Sequence, residues 1–172
     1  MWERWTREAR RVVSLAHINA SRAGLLTTAT EHLLLGLLHE DSSLVNRFLG
    51  NSISEDSIRK QIGAREIARD KSQRARQGIS FSEESKRVLS FASEEADLVG
   101  KSQVGAEHLL LGLLRQENCR ASQILRDNGA DLEVARMALK TIPHTPPEES
   151  ERIANAVERV RKVLASALSE PL

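Results

Sequence analysis

The sequence predicts an all-α protein: two tandem four-helix repeats related by pseudo-twofold symmetry, plus one extra C-terminal helix. Three observations predict it. The octapeptide Glu31-His32-Leu33-Leu34-Leu35-Gly36-Leu37-Leu38 returns letter for letter as Glu107-His108-Leu109-Leu110-Leu111-Gly112-Leu113-Leu114, about 76 residues later, a match too long for chance. Apolar residues recur at three- and four-residue steps through most of the chain, as amphipathic helices require. No stretch alternates apolar and polar residues as a half-buried strand would.

The first helix runs from Thr6 to Ala23. Ala9, Val12, Val13, Ala16 and Ala20 share one face, with Arg7, Arg10, Arg11 and Asn19 largely off it. Thr6 suits the N-cap, because its hydroxyl can accept an orphan amide of the first turn. Gly24 suits the stop, because it enters the left-handed conformation at no steric cost. Thr30 then caps the leucine-rich signature helix, Glu31 to about His39, where Gly36 lets another backbone come close. A third, shorter helix covers Leu44 to Leu49. A fourth opens at Ser54-Glu55-Asp56 and continues through Ile58 and Ile62. Beyond it the periodicity fades, and Arg65, Arg69, Lys71, Arg74 and Arg76 stand against Glu66 and Asp70. Residues 63–78 therefore read as an exposed linker between repeats 1–62 and 79–142.

The second copy follows the first in register. Phe81 answers Trp5, Ser82 answers Thr6, Gly100 answers Gly24 and Leu125 answers Leu49; the register then slips by one, so that Arg136 answers Arg59. Its helices are expected at about Glu83 to Val99, Glu107 to Arg115, Ala121 to Asp127 and Leu132 to Thr141. Pro143, Pro146 and Pro147 break the chain. In the remaining segment, 143–172, Ile153, Val157, Val160, Leu164 and Leu168 mark one more amphipathic helix over Glu148 to Ser169. Its narrow stripe could dock back on the repeats or form a homodimer with a second copy.

The totals exclude several classes. Among 172 residues, 25 Lys and Arg against 24 Asp and Glu leave a formal charge of +1, so no global field favours nucleic acid or an acidic membrane. The lone Cys119 has no disulfide partner in the chain, which fits a reducing compartment. The opening Met1-Trp2-Glu3-Arg4-Trp5 lacks the apolar core of a secretory signal, and no apolar run approaches a membrane span. A cytoplasmic protein is expected. His32 and His108 lie within apolar runs and read as structural histidines, and His32 and His39, seven apart, have no third ligand at metal spacing, so no metal or other cofactor is expected. No nucleophile, base and orienter stand together, and no Gly-x-x-x-x-Gly-Lys-Ser/Thr phosphate loop occurs, so neither a hydrolase nor an ATPase is expected.

On the repeated Glu-His-Leu-Leu-Leu-Gly-Leu-Leu, and on the opening Trp2-Glu3-Arg4-Trp5-Thr6-Arg7-Glu8-Ala9-Arg10-Arg11-Val12-Val13, the chain resembles the Clp N-terminal domain family over residues 1–142. This is the duplicated helical module at the front of ClpC-, ClpA- and ClpB-type unfoldases. The resemblance implies a module that binds substrate proteins or adaptors for a Clp ATPase or protease and does no chemistry. The Pro-rich break and extra helix resemble a stand-alone accessory protein more than a lead into an ATPase domain. Three departures stand out. Tryptophan replaces the usual phenylalanine near the start. Ala106 replaces the threonine before the second signature glutamate, which is expected to weaken a cap by ~1 kcal/mol. The glycine-rich turn after each signature helix becomes Asp41-Ser42-Ser43 and Glu117-Asn118-Cys119.

The best lead to function is the pair of carboxylates, Glu31 and Glu107, each at the start of an apolar helix. By resemblance to ClpC-type domains they are pocket residues for phosphoarginine, and the hydroxyls at the first-helix starts fall on Thr6 and Ser82. A helix N-terminus offers amides and partial positive charge to a phosphate, and a carboxylate suits the guanidinium fork. Taken without the resemblance, Glu31 and Glu107 equally stabilise their own helix starts by ~0.3–1 kcal/mol. A second surface for protein partners comprises Trp2, Arg10, Phe81 and Lys86, aromatics with basic neighbours being typical hot spots; Trp5 and Phe81 also read as matched core anchors. The rival reading is a nucleic-acid-binding regulator acting through the basic linker, though that linker holds no interleaved aromatic.

Overall fold

Each repeat opens on a helix whose two ends are set by side-chain chemistry. In the computed structural model, which describes residues 2–49, 55–66 and 80–141, α1 spans Arg7–Arg22 and α4 spans Glu83–Leu98. Thr6 Oγ1 accepts the Ala9 N–H at 3.2 Å, and Ser82 Oγ accepts the Ser85 N–H at 3.1 Å. Gly24 and Gly100 follow with φ of 74° and 70°, the left-handed turn expected of them. The Pro-rich break, the C-terminal helix and linker residues 67–79 lie outside the described residues.

The signature helices are α2, Thr30–Asn46, and α5, Ala106–Arg115. Thr30 is the first helical residue of α2 and not its cap, which is Ala29. His32 Nδ1 accepts the Ala29 N–H at 3.1 Å, and His108 Nδ1 accepts the Gly105 N–H at 2.9 Å. The motif's own histidine therefore reaches back to the cap residue's amide, so Ala106 costs no cap. At Asp41 the backbone leaves the helical region (φ −147°, ψ 79°), and its carboxylate accepts the Leu44 N–H at 2.9 Å and the Ser43 hydroxyl at 2.7 Å. The short helix expected at Leu44 to Leu49 is thus the kinked end of α2, newly capped by Asp41.

The chain continues with α3 (Glu55–Glu66), α6 (Arg120–Asp127) and α7 (Leu132–Thr141). α3 continues to Glu66, so residues 63–66, expected in the linker, are helical. A glycine inside a helix costs about 1 kcal/mol, and Ala64, Arg65 and Glu66 are good helix formers that sustain the turn.

α1 packs on α2, α4 packs on α5, and α2 meets α5 to join the repeats. Leu33, Leu34, Leu37, Leu109, Leu110 and Leu113 are fully buried. A Cβ on Gly36 would collide with the Val12 carbonyl, and one on Gly112 with the Val88 carbonyl. Glycine is needed there because the helix backbones touch.

The repeats also exchange short extended segments. β1 (Thr27–Thr28) pairs in parallel with β2 (Ser80–Phe81), and Trp5 bridges Val104 in the same way. Under the repeat shift Trp5 matches Phe81 and Val104 matches Thr28, so the two junctions are symmetry mates. No strand was legible in the sequence, because two residues are too few to display an alternating period.

One buried charge holds α7. Glu95, 2% exposed, receives Arg136 Nε at 2.9 Å and Arg115 Nη1 at 3.4 Å. Burial works to raise the Glu95 carboxyl, but hydrogen bonds and charge from Arg136, then Arg115, outweigh it and hold it below the ordinary carboxylate range. The first repeat has Asn19 at this position.

Candidate functional site: two carboxylate notches

Glu31 and Glu107 both lie half-buried in the first turn of their signature helices, where the buried histidines fix the backbone. The backbone just upstream of each carboxylate is hydrogen-bonded to a helix start of the other repeat. The Thr6 N–H donates to the Val104 carbonyl at 3.0 Å, just upstream of Glu107, and the Val104 N–H donates back to the Arg4 carbonyl at 2.7 Å. In the mate junction the Ser82 N–H donates to the Thr28 carbonyl at 3.0 Å, just upstream of Glu31. The junctions thus associate Thr6 with the Glu107 segment and Ser82 with the Glu31 segment.

The two notches differ in detail. Glu107 Oε1 lies 3.5 Å from Lys101 Nζ, and the carboxylate folds back over Gly105, where a Cβ would meet Glu107 Cδ at 2.6 Å. Glu31 follows Ala29, which carries a Cβ where Gly105 has none, and Leu25 stands where the second repeat has Lys101. Glu31 Oε2 accepts only a long contact, 3.4 Å, from the Thr30 hydroxyl, and no Lys or Arg among the described residues pairs with it. Thr30 Oγ1 also accepts the Ala121 N–H at 3.4 Å, which ties the first signature helix to α6. Lys101 escaped the sequence reading, although the repeat shift that matched Gly100 with Gly24 matches it with Leu25.

The cap hydroxyls differ too. Thr6 Oγ1 accepts an amide and donates no hydrogen bond among the described residues, whereas the Ser82 hydroxyl also donates to the buried Ser85 hydroxyl at 3.0 Å.

The other partner-surface residues separate. Trp2 is 39% exposed and packs edge-on against Trp5, with ring centroids 5.1 Å apart, while Trp5 is buried in the core. Phe81 is half-buried against the core and lies 4.5 Å from the His17 ring. Arg10 is exposed, and Lys86 is held by Glu83 at 2.6 Å. His17 bonds the buried Thr28 hydroxyl at 2.7 Å, and burial lowers its pKa. Cys119 is buried, which pushes its thiol up against the smaller opposing effect of hydrogen bonds; its sulfur accepts the Ser122 N–H at the start of α6. Among the described residues no cluster of His, Cys, Asp and Glu could hold a metal ion, and no helix is long and apolar enough to cross a membrane.

A family model described as the Clp repeat (R) N-terminal domain matches residues 4–128 and, in a second match, 80–171. The chain is 34% identical over 137 residues to the negative regulator of genetic competence ClpC/MecB of Bacillus subtilis (strain 168), covering 79% of this chain and 16% of that one. It is 33% identical over 141 residues to the chaperone protein ClpB of Oceanobacillus iheyensis, covering 79% and 17%. To the chloroplastic chaperone ClpC of Pisum sativum it is 36% identical over 131 residues, covering 76% and 14%. The chain thus spans about a sixth of the length of these relatives. Among solved structures it is similar to the N-terminal domain of the caseinolytic protease associated chaperone ClpD from Arabidopsis thaliana. That match has a TM-score of 0.63 and 28% identity, and covers 80% of this chain and 96% of that one.

Proposed function

The chain belongs to the Clp repeat N-terminal domain family, and from that premise we propose that it is a non-catalytic polypeptide-binding module of a Clp chaperone–protease system. It captures substrate proteins or adaptors for a Clp ATPase or protease, and the finer ligand is an arginine side chain carrying a phosphate. The observation that carries this reading is the pair of half-buried carboxylates, each in a segment bonded to the capped helix start of the other repeat. A phosphorylated arginine presents a guanidinium edge for the carboxylate and a phosphate for the helix start. Phosphoserine lacks the first group and plain arginine the second.

The test is retention of the full chain on immobilised β-casein, arginine-phosphorylated or unmodified. The wild type is expected to be retained on the phosphorylated form. Glu31→Gln/Glu107→Gln should lose about tenfold or more in affinity, while its denaturation midpoint stays near that of the wild type. Equal retention of both proteins on phosphorylated casein rejects the phosphoarginine reading.

A further inference from the structure

We propose that Lys101 makes the Glu107 notch discriminate phosphorylated from plain arginine, and that the Glu31 notch, with Leu25 at the matching position, discriminates far less. The inference rests on the reading that these notches take arginine-type ligands. It concerns which notch reads the phosphate.

The contacts are local and differ between two otherwise matched sites. Lys101 and Glu107 form a pair at 3.5 Å, with side chains 27% and 24% exposed, so water screens them only in part. Gly105 permits the folded-back carboxylate. A plain guanidinium entering this notch must displace the ammonium and then share one carboxylate with it, two like charges in a poorly solvated site. A phosphorylated arginine meets no such conflict. Its guanidinium takes Glu107, its phosphate takes the released ammonium, and every charge finds a partner. The Thr6 hydroxyl, which the adjoining Val104 junction brings to this segment, donates to no other described residue and can donate its proton to a phosphate oxygen.

Among the described residues the Glu31 notch offers a carboxylate without a paired cation. The α4 start beside it carries Glu83 and Glu84, with Lys86 already bonded to Glu83, and Ser82 is engaged with Ser85. A phosphate gains little there, and a plain guanidinium loses nothing.

The test is a residue-resolved NMR titration of the nitrogen-15-labelled full chain with free L-arginine and with free phosphoarginine. Amides of residues 29–31 and 105–107 report the two notches separately. The preference for phosphoarginine is expected to be about tenfold greater at 105–107 than at 29–31. Lys101→Leu should erase that excess by weakening phosphoarginine and strengthening arginine at Glu107, with the other notch unchanged. Leu25→Lys should install the preference at Glu31, a gain that a misfolded variant could not produce. Equal preferences in the wild type, or an unchanged ratio in Lys101→Leu, overturn the role of Lys101 and leave the arginine reading standing. Absence of shifts at both notches with both amino acids rejects the arginine reading, and this inference with it.

Discussion

Removing either end of the Glu95–Arg136 pair should have unequal consequences, because the partners left behind differ in their access to water. Glu95→Gln leaves Arg136 and Arg115, whose side chains are 25% and 31% exposed and can turn towards solvent. The amide also keeps the shape of the carboxyl, so the expected cost is about 1–2 kcal/mol, that of a lost charged hydrogen bond. Arg136→Met leaves a carboxylate that is 2% exposed, with only Arg115 at 3.4 Å. Stranding a buried charge costs roughly 3–5 kcal/mol. Urea unfolding followed by circular dichroism at pH 7 measures both, with hydrogen exchange of the α7 amides as a second readout should α7 open locally. The pH dependence has a definite sign. The folded wild-type Glu95 titrates below its usual 4.5, so its contribution is complete above about 4.5 and is lost as pH falls through the lower folded value. In Arg136→Met burial prevails and raises the carboxyl. Lowering the pH from 7 towards 5 should then narrow the variant's deficit against the wild type. The reasoning is refuted if Glu95→Gln costs as much as Arg136→Met, or if the deficit does not change with pH.

The close helix crossings give a matched pair of variants. Gly36→Ala and Gly112→Ala each drive a Cβ into a neighbouring carbonyl, so both should destabilise by about 1–3 kcal/mol in thermal or urea unfolding. Trp5→Ala empties a fully buried site and should cost about 3–5 kcal/mol, whereas Phe81→Ala, at a half-buried mate, should cost measurably less in the same assay.

The helices were legible because each carries its own punctuation. Thr6, Ser82, Gly24 and Gly100 act on neighbouring amides and carbonyls, and such local effects can be read from a few residues. The second repeat was easier still, with Leu132–Thr141 found to the residue. Errors arose where a side chain serves something distant or competes with a neighbour. Thr30 has the composition of a cap, yet its hydroxyl faces Ala121 in α6, and His32 reaches back to the cap residue instead. Asp41 reads as a turn residue and acts as one, but the turn it makes is a kink inside a continuing helix. The extended junctions at residues 27–28 and 80–81 left no trace, because a parallel pairing of two residues is decided by the fold around it.

The junctions show what the second copy of the unit contributes to each carboxylate segment. In a single repeat the first-helix hydroxyl and the signature carboxylate are separated by the α1–α2 connection, and the bonds from the helix start run elsewhere. Thr6 is tied to Val104 and Ser82 to Thr28, so each carboxylate segment completes its surroundings with the other copy's helix start. Symmetry makes two notches whenever it makes one. Identity of the octapeptides then constrains the backbone of both, while the residues around them are free to diverge. Lys101 against Leu25, Gly105 against Ala29 and Ser85 against Ala9 are such divergences, and each alters a charge, a space or a hydrogen bond near a carboxylate without touching the repeated motif. A duplication that fixes geometry through identical residues and varies chemistry through their neighbours gives two matched carboxylates unequal surroundings on one small fold.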